Sequence, residues 1–254
     1  MKHVKRIVTM ILTTALLLPL VPMQDVQALP TRKPENGWVF EWTHDYSDDM
    51  VQLWDATYTG KATRVTTPKN VCEVKKLSDT VKELHLTGEA CFGATQKKDA
   101  RNLAKITVDA NHPRLFAKDG VLYAKGKPYF LMYYPVQKKD RFYTVLPGTE
   151  EIKELNNNYL KKLTLPDSLK SIWQIRTKKV KTLHIPTKVN YIYEIDILGE
   201  ITVAKNNKFF TNSKGVLFNK KKTEMRYYPA TKKDKTYTIP KNVKEGGASK
   251  IINT

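Results

Sequence analysis

The residues that most often perform catalysis or bind metal are few in this 254-residue chain and lie far apart. None of the histidines has the spacing of a zinc-protease motif, and no serine lies in the tight glycine context of a nucleophile elbow. No pair of acidic residues recurs in a way that would divide acid and base roles, and no glycine-rich phosphate loop is present. The sequence therefore predicts a non-catalytic protein without a metal or cofactor. The five histidines are His3, His44, His85, His112 and His184.

The two cysteines, Cys72 and Cys91, stand 19 residues apart, which is close to one repeat of the chain as described below. Adjacent repeats would bring them near each other, and in an oxidising compartment they could form a disulfide. The alternative is a pair of buried free thiols. A thiol nucleophile acting with a distant histidine fits the spacing less well than either structural role. No cysteine or histidine lies at short ligand spacing from either cysteine, so a metal site is not expected.

A 20-residue repeat organises the centre of the chain. Residues 160–172 recur as residues 180–192, with every apolar position and the proline retained. A period of this length is typical of repeats in which each coil supplies one short strand and one return segment. One coil has too little apolar surface to fold alone, so neighbouring coils must stack over a shared core.

Each coil can be interpreted residue by residue. Leu163 and Leu165 flank Thr164, so both leucines face the core and the threonine faces away. Pro166 has no backbone donor and ends the strand. Leu169 and Ile172 are three residues apart, which predicts a short turn or 3-10 segment on the return. The expected fold is a β-rich solenoid with short parallel strands on one face.

The middle residues of the predicted short strands form a series that we call the ladder. They would be spaced about 4.8 Å apart and could line a concave groove for an extended peptide or glycan. The alternative is that threonine occupies these exposed positions through its β-propensity alone. The ladder residues are His85, Thr107, Thr144, Thr164, His184, Thr202 and Thr238.

The chain is strongly basic, with a formal net charge of +19. Lysine pairs recur near predicted turns, where a regular stack would align them as a ridge. Such a ridge attracts polyanions, including wall polymers and sulfated glycans, whereas specific nucleic-acid binding is not expected of an exported protein. The alternative is a solvated face that only keeps the protein soluble. The lysines assigned to polyanion binding are Lys138, Lys139, Lys161, Lys162, Lys220, Lys221, Lys232 and Lys233.

A second repeat with an offset of 95 residues overlies the short one. Residues 106–123 match residues 201–218, and a Tyr-Tyr-Pro sequence follows each copy. In each copy two apolar runs flank a turn-rich link, which predicts a β-hairpin. We expect the two hairpins to bulge from the stack as equivalent ribs.

The start of the chain predicts a secretory signal at residues 1–28. A cationic start precedes an apolar run at 7–21, and small residues at Val26 and Ala28 fit cleavage after Ala28. A membrane anchor is the alternative, but the run is short of about 20 residues and contains Pro19. No later stretch is apolar enough to cross a membrane. We therefore expect an extracellular protein that is secreted or held at the cell surface.

The mature chain is expected to have three parts: an aromatic cap at 29–57, the solenoid at 58–245, and a short tail at 246–254. A cap is needed because the end of a solenoid core would otherwise face water. A carbohydrate-binding platform is the alternative role for its aromatic residues, Trp38, Phe40, Trp42 and Trp54. The last coil, 239–245, loses its final apolar position, so we expect the repeat to end there cut short or uncapped.

These motifs together resemble the BspA-type leucine-rich repeat family of bacterial surface and secreted proteins. The resemblance covers residues 58–245 and rests on the L-x-I-P-x-x-V-x-x-I coils, on a Cys-Phe…Asn-Leu-x-x-Ile-x-Val coil, and on the N-x-x-F-x-x-x-x-G-V-L inserts that lead to Tyr-Pro. It implies a right-handed leucine-rich repeat solenoid with short parallel strands and a role in adhesion or partner binding without catalysis. The sequence departs from the pattern in having no sorting motif or membrane tail after the repeats.

Two classes of function follow. The first is a binding or adhesion module for a protein or glycan partner, such as host matrix. The second is a cationic structural protein of the envelope, retained on anionic wall polymers by its charge. Electrostatic retention should weaken steeply as salt rises, whereas recognition in a groove should survive.

Overall fold

The computed structural model describes residues 30–46, 52–92, 99–233 and 236–246. The chain divides into a unit of residues 1–31 and a unit of residues 32–254, and the strands belong to the second unit. The predicted signal sequence lies outside the described residues. In the described ranges, no helix is long and apolar enough to span a membrane.

The second unit consists of β-strands joined by tight turns. In chain order they are β1 (Trp38–Tyr46), β2 (Gln52–Tyr58), β3 (Arg64–Thr66), β4 (Val71–Leu77), β5 (Glu83–Leu86), β6 (Cys91–Phe92), β7 (Lys105–Val108), β8 (Leu115–Lys118), β9 (Val121–Ala124), β10 (Tyr129–Tyr134), β11 (Phe142–Thr144), β12 (Thr149–Asn157), β13 (Lys162–Thr164), β14 (Ser171–Thr177), β15 (Thr182–Ile185), β16 (Tyr191–Ile197), β17 (Glu200–Val203), β18 (Phe210–Ser213), β19 (Val216–Asn219), β20 (Glu224–Tyr227) and β21 (Glu245–Gly246).

Successive coils contribute strands to two faces of a solenoid. The ladder face consists of three parallel groups, β3-β5-β7, β11-β13 and β15-β17. The long-strand face consists of β2-β4-β6 and of β10-β12-β14-β16, also parallel. The predicted leucine-rich repeat solenoid is therefore confirmed.

The 20-residue period appears directly as strand register. Ile152 pairs with Ile172 and Ile172 with Ile192, so equivalent residues lie in adjacent layers. All three side chains are buried, as are Leu163 and Leu183. Stacking identical apolar positions is what gives a repeat protein its continuous core.

The return segment differs from the prediction. A tight turn, closed by the Leu169 amide donating to the Pro166 carbonyl at 3.0 Å, does follow the proline. The chain then continues as a seven-residue strand, β14, and not as a 3-10 segment. The reason is that each return strand finds a parallel partner in the coils above and below, so its backbone groups are satisfied by a ladder of hydrogen bonds.

The two predicted hairpins are confirmed, but they do not bulge from the stack. β9 pairs antiparallel with β10, and β10 in turn pairs parallel with β12 of the next coil. Val121, Leu122 and Tyr123 of β9 are fully buried. If the hairpins projected outward, the apolar side chains of their strands would be exposed to water. Burial inside the stack removes that exposure.

Each insert also reaches the ladder face through a two-residue turn. Asp119 and Gly120 have φ values of 52° and 79°, and Lys214 and Gly215 have φ values of 48° and 80°, the conformation of a type I′ hairpin turn. The Ile106 amide donates to the Gly120 carbonyl at 3.0 Å, and at the equivalent position Ile201 donates to Gly215 at 3.1 Å. These turns cover the edges of β7 and β17.

The aromatic start of the chain forms a hairpin on the first coil. β1 pairs antiparallel with β2, which pairs parallel with β4. Trp38 is buried and packs edge-on against Tyr58, with ring centroids 5.1 Å apart. Phe40 is also buried, under the Arg32 guanidinium at 3.7 Å. These two rings belong to the core and present no face to a carbohydrate.

Candidate binding surfaces

The ladder face brings six of the seven predicted ladder residues onto paired strands. Thr144 lies beside Thr164, and His184 beside Thr202. In the first group His85 lies between Thr107 and Thr66. Thr66 is a ladder residue that the sequence analysis missed, because its coil is degenerate. The covering turns and the absence of pairing between β13 and β15 divide the ladder into three short segments.

Thr238 does not belong to the ladder. Its segment forms no strand in the described residues around it, 236–240. The preceding ladder strand, β17, is already covered by the β18–β19 turn. Thr144 on β11 has a following strand, β13, to pair with, but the described residues after Thr238 contain no such strand. A lone extended segment has no ladder of hydrogen bonds to stabilise it.

The histidines of the ladder are held by their neighbours. The His85 Nδ1 lies 2.9 Å from the Thr107 hydroxyl, and its Nε2 lies 2.9 Å from a carboxylate oxygen of Asp109. The His184 Nδ1 lies 3.0 Å from the Thr202 hydroxyl. The side chains therefore present fixed polar groups at repeat spacing. A groove of about 230 Å³ is lined by Arg64, Val65, Thr66, Glu83, Leu84, His85 and Thr107.

A larger open depression, about 490 Å³, lies on the first insert and not on the ladder. It is lined by Phe116, Lys125, Gly126, Lys127 and Tyr129. Phe116 and Tyr129 contact each other edge-on, which indicates packing of the insert. The ladder has more polar groups that could hydrogen-bond to a partner, so the ladder is the better candidate site.

The eight lysines predicted to bind polyanions are not equivalent. The Lys138 side chain is only 14% exposed, and its ammonium pairs with Asp140 at 2.9 Å. The Lys220 Nζ donates to the Asn207 carbonyl at 2.6 Å. Lys232 is half-buried. The other five, Lys139, Lys161, Lys162, Lys221 and Lys233, are exposed, as is Lys220.

A sharper cationic feature is a column of Arg141, Lys161 and Lys181, which we call the basic column. The three residues lie 20 positions apart, at the corner where each coil enters a ladder strand, and all are exposed. The Lys161 amide donates to the Arg141 carbonyl at 2.8 Å, which fixes two of them in adjacent layers. None of the three forms an ion pair within the part of the chain that the structure describes.

Both cysteines are half-buried and lie on neighbouring strands of the long-strand face. The register pairs Cys91 with Glu73, one position beyond Cys72. The one-coil spacing thus places the two cysteines in adjacent layers, and the disulfide stays a prediction. Burial raises the pKa of the Cys91 thiol to about 11.

Three buried polar residues organise the turns, and the sequence analysis did not single them out. His112 and Asn207, 95 residues apart, each accept hydrogen bonds from two following backbone amides. Asn157 accepts the same pair of bonds. Each also donates to carbonyls of the preceding coil. The offset of 95 residues was the signal that could have identified the first two.

The described residues contain no group of three or more His, Cys, Asp or Glu side chains that could hold a metal ion.

No family model matches the sequence, and no curated protein matches it. Three solved structures are similar. A leucine-rich repeat protein from Eubacterium ventriosum shares 21% identity over 55% of this chain and 43% of its own, with a TM-score of 0.43. A leucine-rich cell surface protein from Faecalibacterium prausnitzii shares 16% identity over 85% of this chain and 66% of its own, with a TM-score of 0.45. The pneumococcal vaccine antigen PcpA shares 17% identity over 84% of this chain and 60% of its own, with a TM-score of 0.39.

This chain therefore spans between 43% and 66% of the length of these solved chains. Two of the three are described as leucine-rich proteins, the fold class that the strand registers define here. The solenoid fold itself rests on the strand registers described above.

Proposed function

We propose that this protein is a secreted or cell-surface leucine-rich repeat module that binds a protein or glycan partner without chemical conversion. The observation that supports the proposal is the ladder, because hydroxyl and imidazole groups that are exposed or half-buried recur at the same position of paired strands. An extended partner has a repeating backbone of its own, so a series of fixed polar groups at strand spacing can hydrogen-bond to it along its length.

The groove beside His85 strengthens this proposal. Its lining residues carry hydroxyl, imidazole, guanidinium and carboxylate groups within one segment of the ladder. Arg64 and Glu83, which both line the groove, pair with each other at 3.2 Å. Such mixed polar groups suit peptide amides and sugar hydroxyls more than an apolar ligand.

The test is a binding array of extracellular matrix proteins, sulfated glycans and isolated anionic wall polymers, probed with the residue 29–254 chain. We expect at least one partner whose binding survives high salt. A variant with His85→Ala and Thr107→Ala should lose it, while the matched variant with Thr187→Ala and Lys188→Ala on an exposed turn should keep it. Equal binding by both variants would remove the ladder from the site.

The second candidate function is retention on anionic wall polymers, and the basic column favours it. Three unpaired cations in adjacent layers raise the local positive potential more than scattered ones. On a teichoic-acid or heparin column, changing Arg141, Lys161 and Lys181 to glutamine should lower the eluting salt concentration more than changing Lys118, Lys170 and Lys178, which are ion-paired. Failure of the wild type to bind either column would reject this candidate.

A further inference from the structure

A cluster of exposed aromatic rings lies on the long-strand face, away from the ladder and outside every feature that the sequence singled out. We call Trp173, Tyr191 and Tyr193 the aromatic patch. Their exposed fractions are 42%, 39% and 68%, and they are three of the seven large apolar side chains exposed in the described residues. Their ring centroids are close: 5.4 Å from Trp173 to Tyr191, and 6.3 Å to Tyr193.

The solenoid register builds this patch. Ile172 pairs with Ile192 and Gln174 with Glu194, so Trp173 lies beside Tyr193 in the next coil. The same offset places Lys153 of β12 on the other side of Trp173, with its ammonium 4.7 Å from the ring centroid. A cation over the face of an indole restrains that ring. This contact therefore restrains the Trp173 ring in the absence of a ligand.

Planar polar side chains border the aromatic rings and hold one another in place. The Arg176 guanidinium donates two hydrogen bonds to Glu194, at 2.6 and 2.5 Å. Gln174 donates to Glu194 at 3.1 Å and accepts from Asn156 at 2.9 Å. The row thus combines carboxylate, amide and guanidinium groups, which can bind vicinal hydroxyls in a bidentate manner.

The local charge separates this patch from the basic remainder of the protein. The strands β12, β14 and β16 carry five carboxylates, Glu150, Glu151, Glu154, Glu194 and Asp196, against two cations, Lys153 and Arg176. The whole chain has a formal charge of +19. Four of the five carboxylates pair with cations: Glu150 with Lys170, Glu151 with Lys153, Glu194 with Arg176 and Asp196 with Lys178. The surface around the patch is therefore close to neutral and attracts a polyanion less than the basic remainder does, whereas a ligand without charge loses nothing there.

From these observations we infer that the aromatic patch binds a neutral glycan. The C–H faces of pyranose rings pack on the exposed aromatic rings, and the sugar hydroxyls hydrogen-bond to the row formed by Gln174, Arg176 and Glu194. This inference goes beyond the proposed function because it assigns a second binding surface, on the long-strand face, and names the class of ligand that binds there. Cross-strand aromatic pairs also stabilise sheets, so the test must separate binding from stability.

The experiment titrates the residue 29–254 chain with four neutral oligosaccharides, cellohexaose, xylohexaose, mannohexaose and chitohexaose, by calorimetry and tryptophan fluorescence. We expect at least one to bind with an affinity that does not change with salt. The variant with Trp173→Ala and Tyr193→Ala should bind it at least about tenfold more weakly. The control Phe209→Ala, an exposed aromatic residue elsewhere, should match the wild type.

The inference is overturned if none of the four oligosaccharides binds, if the double variant keeps wild-type affinity, or if heparin competes for the patch. If the double variant loses its thermal transition, Tyr193→Ala alone replaces it, and wild-type affinity of that variant overturns the inference equally. The ladder variant with His85→Ala and Thr107→Ala should bind the sugar normally. If this ladder variant no longer binds the partner found in the binding array but still binds the sugar, the ladder and the aromatic patch are separate binding sites.

Discussion

At the scale of single residues, His112 and Asn207 show one structural role filled by two side chains. Each is buried, accepts two backbone amide hydrogen bonds and donates to the preceding coil. His112 must be neutral to do so, since its Nδ1 accepts and its Nε2 donates. Its role is therefore geometric, and no catalytic role is needed to explain why a histidine is buried there.

We predict that His112→Asn is tolerated and that His112→Ala is not. Asparagine supplies the same acceptor and donor at Asn207, whereas alanine leaves buried backbone groups without partners, at a cost of about 1–3 kcal/mol. Urea unfolding of the two variants measures the difference. A similar loss of stability in both would show that the imidazole packs in a way that the amide cannot reproduce.

The same residue predicts a dependence of stability on pH. Burial, together with nearby Arg114 and Lys125, lowers the pKa of His112. Above the unfolded-state pKa of about 6.5 both states are neutral, and as pH falls below it the unfolded chain gains a proton that the folded chain resists. The free energy of unfolding should therefore decrease as pH falls below about 6.5, and less so in His112→Asn. The same pH dependence of the free energy of unfolding in the wild type and in His112→Asn would contradict this prediction.

Cys91 should be a slow nucleophile. Burial raises the pKa of its thiol to about 11, so little thiolate exists near neutral pH. Iodoacetamide labelling of the folded protein, followed by mass spectrometry, should be slow at Cys91 and should accelerate as pH approaches 11. Labelling in denaturant tests the predicted disulfide separately: two modified cysteines per chain would count against the bond.

At the scale of elements, close approach of successive coils depends on Gly199. A Cβ on this residue would overlap the carbonyl of Lys181 in the preceding coil. The Gly199 amide donates to the Val180 carbonyl at 3.2 Å, so the two backbones cannot separate without losing that hydrogen bond. The turn between β16 and β17 is therefore possible only where the side chain is absent.

We predict that Gly199→Ala lowers the thermal midpoint more than Lys188→Ala, a change on an exposed turn that removes no buried contact. The reason is that backbone, and not a flexible side chain, must move to admit the new methyl group. Differential scanning calorimetry gives the comparison. Equal midpoints would mean that the coils can move apart at that corner.

At the scale of the whole solenoid, the apolar core forms two large clusters that meet at the first insert. Leu84 belongs to the cluster of the early coils and Leu183 to that of the later coils. β9 contributes to both, with Leu122 in the first cluster and Val121 and Tyr123 in the second. Stability in such a stack is approximately a sum of local and nearest-neighbour contributions.

We therefore predict that core mutations act regionally. Leu183→Ala should cost about 2–5 kcal/mol by leaving a cavity, and hydrogen exchange should accelerate mainly in residues 121–227. Leu84→Ala should accelerate exchange mainly in residues 38–133. Hydrogen–deuterium exchange with mass spectrometry resolves the two regions. Uniform acceleration in both variants would show instead that the coils unfold as one cooperative unit.

The amino-acid sequence alone determined the repeat, the inward leucine and isoleucine positions, both hairpins and six ladder residues. These follow from local chemistry: period-two alternation, prolines that end strands, and turn-rich links between apolar runs. It also set the lysine spacing from which the basic column arises. Tertiary structure decided what the return segments become, because seven residues form a strand only when a neighbouring coil satisfies their backbone groups.

Tertiary structure likewise decided which polar groups are available. Lys138 and Lys220 belong to lysine pairs like the other predicted lysines, yet the ammonium of Lys138 pairs with Asp140 and that of Lys220 donates to a backbone carbonyl. The aromatic patch needed both levels. Trp173 and Tyr193 are one period apart in sequence. Their side chains are exposed side by side only because the long-strand face is a sheet, and that sheet forms through pairing between coils.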